Sequence, residues 1–148
     1  MAVSFQNADI VFKLPAKTDL KHFIGPSFEK EAKKKLSVSY VFCSDEYLLR
    51  INQDFLKHDY YTDIITFPLS ETDQKVEAEI YISIDRIREN ALTLKVPFEQ
   101  ELLRVIFHGA LHLIGYKDKT AAQKKLMREA EEKWIKEFEK KNPWSEKL

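Results

Sequence analysis

The spacing of apolar positions changes several times along the chain, and each change marks a new element. A short strand is predicted near Val3 to Gln6. A helical region follows over roughly Thr18 to Lys35, expected to break at Gly25-Pro26 because proline has no N–H to donate to the preceding turn. Leu36 to Cys43 alternates, with Val38, Tyr40 and Phe42 on one face and Ser37 and Ser39 on the other, the period of a strand. Ser44 is placed to cap the next helix, Asp45 and Glu46 suit its positive end, and Leu48, Ile51 and Phe55 form its buried stripe. Thr62 to Phe67 and Ala78 to Ser83 are two further strands, joined by a polar loop around Glu71 to Lys75. Ile84, Ile87 and Ala91 give a helix that ends before Pro97, itself suited to the first turn of another.

That next helix, about Pro97 to Ile114, is apolar on nearly every side, which predicts a helix buried in the middle of the protein. Gly115 can take the left-handed conformation that ends it. A Thr-x-x-Gln capping box, Thr120 with Gln123, opens a last helix that buries Met127, Ala130, Trp134 and Phe138. The predicted fold is α/β, a small mixed sheet of about four strands packed with helices around a central buried helix. No repeat or linker interrupts it, so residues 1–148 are read as one domain.

Composition narrows the class. With 148 residues and 44% apolar, the chain is long enough for a single sizeable core. Its 24 basic and 24 acidic residues balance, so there is no global footprint for nucleic acid, and RNA binding must come from local patches. No apolar run reaches membrane-spanning length, and residues 1–9 lack the regions of a secretory signal. The lone Cys43 has no disulfide partner and sits in an apolar stretch, as a buried thiol does. These features predict a cytoplasmic protein without a membrane partner. Only Gly25, Gly109 and Gly115 are present, which excludes a P-loop, a GxGxxG cofactor site and a GxSxG nucleophile elbow.

The candidate chemistry lies on the central helix. His108 and His112 are four residues apart, on one face, where their nitrogens can converge on one ion. Two imidazoles among apolar neighbours are costly without partners, and a metal accepts a lone pair from each. Asp118 is confined to the return turn between Gly115 and Thr120, where it is the candidate third ligand; the alternative is a turn aspartate bonded to backbone. Three ligands leave a position for water, whose pKa the ion lowers. The zinc-protease motif HExxH needs a glutamate after the first histidine, and here that residue is Gly109, which disfavours a peptidase of that type.

The run from His108 to Asp118 resembles the signature HGxLHLxGYDH of the YbeY family of metal-dependent endoribonucleases. Ile51-Asn52 and Tyr61 to Phe67 look like its LN…PTDVLSF block, Ala78 to Ser83 looks like its GDI-x-I-S strand, and Glu101 matches a glutamate ahead of the first histidine. The family's third histidine falls on Asp118, Lys117 stands for an aspartate, and an arginine thought to contribute to RNA cleavage aligns with Leu56, with Lys57 and His58 adjacent as replacement donors. The resemblance implies a mixed α/β fold and a zinc ion, one per chain, or another divalent transition metal. It implies cleavage of single-stranded RNA by a metal-activated water, in ribosomal RNA maturation and ribosome quality control, with the small ribosomal subunit as partner.

Beyond the ligands His108, His112 and Asp118, the candidates for catalytic roles are Lys57, His58, Asp63 and Glu101, with no base singled out. Glu101 either orients a histidine or Arg104, or is a helix-start carboxylate, and Asp63 either lines the cleft or serves a turn. Two rival functions remain: a metal-dependent hydrolase of another bond, and a non-catalytic ribosome-associated module whose metal is structural. An iron oxygenase with the same ligand types is a further, weaker rival.

Overall fold

The computed structural model describes residues 2–58 and 60–141, which form four strands and five helices. The domain read over 1–148 also takes in residues 1, 59 and 142–148, which lie outside the described residues. The order is β1 (Val3–Asn7), α1 (Lys17–Ala32), β2 (Lys35–Cys43), α2 (Asp45–Leu56), β3 (Ile64–Glu71), β4 (Lys75–Ser83), α3 (Ile84–Leu94), α4 (Phe98–Ile114) and α5 (Ala121–Lys141). The sheet order is β1-β2-β4-β3, parallel from β1 to β4, with β3 added antiparallel at the edge. The sheet is thus mixed, as expected. Pro68 lies where the β3 register shifts, a place an edge strand tolerates because no donor is needed there.

The larger core forms where α1, α4 and α5 cover one face of the sheet. Val38, Tyr40 and Phe42 of β2 point into it together with Phe28, Phe107, Trp134 and Phe138. On the opposite face Cys43, Leu48 and Ile65 make a smaller cluster under α2, so the far half of β2 is buried on both sides. Burial pushes the Cys43 thiol up to about 12, with Asp9, Asp45 and Asp85 adding to the effect, which leaves it inert.

Two expectations fail for identifiable reasons. α1 runs unbroken from Lys17 to Ala32 with Pro26 inside it. An interior proline costs about 3 kcal/mol, and burial of Leu20, Phe23, Ile24 and Phe28 on either side of it offsets that. Phe55 is not buried in the α2 stripe but is 71% exposed, while Asn52 takes the inward place at 1%. Phe55 meets Phe67 edge-on near the surface, and Asn52 is satisfied by donating to the Tyr60 carbonyl at 2.9 Å. Smaller differences are Pro97 at the N-cap of α4 rather than in its first turn, and longer β3 and β4 around a shorter connection.

The signals that position the site behave as read. Ser44 accepts from the Tyr47 N–H at 3.1 Å. Thr120 and Gln123 cap each other's backbone, both at 3.1 Å. Gly115 ends α4 at φ 134, and its N–H reaches back to Leu111 and His112. Gly109 sits where α4 crosses the sheet. A Cβ there would lie 2.8 Å from Ile80 Cδ1 and 3.1 Å from Ile64 Cδ1. The position that carries the base in HExxH proteins thus faces β-sheet side chains, with no room for a carboxylate.

Candidate active site

Burial of most of α4 leaves one stripe open, Arg104, His108 and His112, spaced four residues apart. This stripe forms one wall of a cleft of about 800 Å³. The end of α2 and the start of β3 form the facing wall with His58, Tyr60 and Asp63, and the turn after α4 adds Asp118 and Lys119. Both histidines and Asp118 therefore share one cavity, brought together because Gly115 turns the chain back beside its own helix.

The hydrogen bonds define the imidazoles. His108 Nδ1 lies 2.6 Å from Glu131 Oε2, and a carboxylate only accepts, so Nδ1 carries the proton. His112 Nδ1 lies 3.2 Å from the Tyr116 carbonyl oxygen, which leads to the same tautomer. Each ring in its neutral form is left with Nε2 as its only lone pair. His108 Nε2 is 3.3 Å from Asp118 Oδ2. Two ligands of one tetrahedral zinc with bonds of roughly 2.0–2.2 Å lie about 3.4 Å apart, so this pair fits a shared divalent ion. Among the described residues, no three His, Cys, Asp or Glu side chains form a set that could hold an ion as placed. The assembled part is the His108–Asp118 edge, with His112 lining the same cleft one turn on.

Around this edge lies a charge network. Arg104 bonds Glu101 through two nitrogens, reaches Glu131 at 3.4 Å and Asp63 at 4.0 Å. Three carboxylates, Asp63, Glu101 and Glu131, thus surround the Arg104 guanidinium, and Asp118 adds a fourth beside His108, leaving a negative excess suited to a cation. Burial alone would lower the His108 pKa, but its bond to Glu131 and the charges of Glu131, Asp118 and Asp63 outweigh it and hold the imidazolium above its usual range. Burial raises the Asp63 carboxyl against the opposing pull of Arg104 and His108.

The other sequence candidates separate. Glu101 is 1% exposed and committed to Arg104, one of the two orienting roles left open for it. His58 lines the cleft, whereas Lys57 is absent from its wall. Asp63 lines the cleft and accepts from Asn90 at 3.3 Å. The residue that sequence reading missed is Glu131, 2% exposed under His108. Its signal was available: it occupies an inward position of the α5 stripe, four residues after Met127 and three before Trp134, where a charged side chain needs a buried partner.

Fold and site together define an α/β protein whose polar chemistry is gathered in one cleft beside the edge strand. A family model described as Endoribonuclease YbeY matches residues 4–139, and the chain belongs to that family. An Endoribonuclease YbeY of Cytophaga hutchinsonii is 46% identical over 130 residues, covering 88% of this chain and 91% of that protein. One of Flavobacterium psychrophilum is 46% identical over 136 residues, covering 92% and 96%. A solution structure of a Thermotoga maritima protein superimposes with a TM-score of 0.58 at 27% identity, covering 94% of this chain and 90% of that one. Among the described residues, no helix is long and apolar enough to cross a membrane.

Proposed function

We propose that this protein is a zinc-dependent endoribonuclease that cuts single-stranded ribosomal RNA, with His108, His112 and Asp118 as metal ligands. Membership of the Endoribonuclease YbeY family supports hydrolysis of RNA phosphodiester bonds. The observation that carries the metal reading is the common tautomer of the two histidines. Each donates Nδ1–H to a group that only accepts, with Asp118 Oδ2 3.3 Å from the lone pair of His108. A bound divalent ion supplies an acidified water and charge stabilisation at the phosphate. Glu131 holds the His108 ring in place, and Arg104 in turn holds Glu131. Asp63 is the proton acceptor we favour, because it lines the cleft and burial raises its carboxyl toward the working pH. Action on the small ribosomal subunit, in maturation and quality control of its RNA, and a cytoplasmic location complete this reading.

Proton and ion compete for His108 Nε2, and the sign of that competition is the test. In metal-free protein the raised His108 pKa contributes stability that is full below the unfolded value of 6.5 and is lost as pH rises through the folded value. Stability linked to metal runs the other way and grows as the imidazoles lose their protons. The difference in Tm between zinc-loaded and metal-free protein should therefore widen from about pH 6 to pH 8. RNA cleavage should disappear with a chelator, return with zinc, and fall on acidification together with bound metal. Cleavage that survives complete metal removal would sink this reading.

Glu131 makes a separate prediction. Glu131→Gln keeps an acceptor for His108 Nδ1–H but removes the charge, and zinc affinity should fall by about 10–100-fold. Titration against a chromogenic chelator measures it, and unchanged affinity would reduce Glu131 to a packing residue.

A further inference from the structure

We propose that the stacked rings of His58 and Tyr60 form a platform at the cleft mouth on which an unpaired nucleobase of the RNA substrate stacks. The inference rests on the ribonuclease reading above and names what its facing wall recognises. The two rings lie 5.1 Å apart and within 20° of parallel, and Tyr60 Oη is bonded to His58 Nδ1 at 2.9 Å. Tyr60 is 56% exposed, so a flat aromatic surface faces solvent on the wall opposite the α4 histidines.

Its position is built. The side-chain amide of buried Asn52 donates to the Tyr60 carbonyl at 2.9 Å, while its backbone carbonyl accepts from the His58 N–H at 3.0 Å in the bond that closes α2. The amide hydrogen bond lies outside the helix end itself and fixes the backbone at Tyr60. Leu56 also lines the cleft and extends the same apolar wall. This part of the wall therefore suits a planar apolar face rather than a phosphate.

The cleft as a whole selects the occupant. The negative excess around Arg104 repels an anion unless a divalent cation sits at His108, so a phosphate belongs on the α4 side and its neighbouring base on the aromatic side. Base–aromatic stacking tolerates any sequence, since every base has a π-face. In a duplex those faces are already covered by neighbouring pairs, which makes the platform selective for single strands.

The test compares wild type with Tyr60→Ala, Tyr60→Phe and His58→Ala on a labelled single-stranded RNA and on versions carrying one abasic nucleotide at successive positions. Tyr60→Ala should raise KM about tenfold with little change in kcat, and Tyr60→Phe should stay near wild type because the ring is kept. One abasic position should cost wild type about tenfold and cost Tyr60→Ala nothing further, the coupling expected of two groups in contact. A KM unchanged in both alanine variants, or an abasic penalty equal in wild type and Tyr60→Ala, overturns the platform. Equilibrium binding of the same RNAs by fluorescence anisotropy separates the two readings. Tyr60-dependent binding without turnover supports the platform while removing the nuclease, and binding indifferent to Tyr60 overturns the platform even if RNA is cut.

Discussion

His112→Ala is expected to lose its metal and its RNA cleavage while keeping the stability of the metal-free wild type. His112 is exposed, and its Nδ1 donates to the Tyr116 carbonyl, so truncation strands no buried group among the described residues. The proposed ion, in contrast, would lose one of its two imidazole ligands. Without it, water returns from a pKa near 7 toward its bulk value, and cleavage should fall by roughly a thousandfold or more. His108→Ala should abolish the same activity but also destabilise the fold, because buried Glu131 then loses a donor, at about 1–3 kcal/mol. Thermal unfolding, metal content and cleavage measured on both variants separate the two roles. Wild-type cleavage by His112→Ala would show that the α4 stripe does not hold the catalytic ion.

Asp118 should tell ligand from turn residue. Asp118→Ala is expected to weaken zinc binding by more than the roughly 10–100-fold of a supporting residue, because a ligand and a negative charge go together. Asp118→His should retain binding, since an imidazole restores the donor that the family signature carries there. The side chain is half-exposed and already 3.3 Å from His108 Nε2, so neither change disturbs the core. Equal zinc affinity in wild type and Asp118→Ala would leave Asp118 as a turn residue. Affinity is read by competition with a chelator and cleavage on the same preparations.

Local pattern determined much of this protein. The caps at Ser44 and Thr120, the helix end at Gly115 and the strand period of β2 depend on residues within a few positions of one another, and each forms as expected. The histidine pair was legible for the same reason, since four residues on a helix bring two side chains to one face whatever surrounds them. What lay beyond local reach was decided by the tertiary structure. Pro26 stays helical because α1 is held by its buried face, an energy no local rule contains. Phe55 lies exposed against the edge of Phe67 while Asn52 is buried with its amide on the Tyr60 carbonyl, partners on other segments that helical period does not name. Glu131 is 23 residues from His108, and only the packing of α5 against α4 puts its carboxylate under the imidazole and fixes which nitrogen is free. The periodicity of a helix tells which residues share a face, but the partner of that face is chosen by the fold.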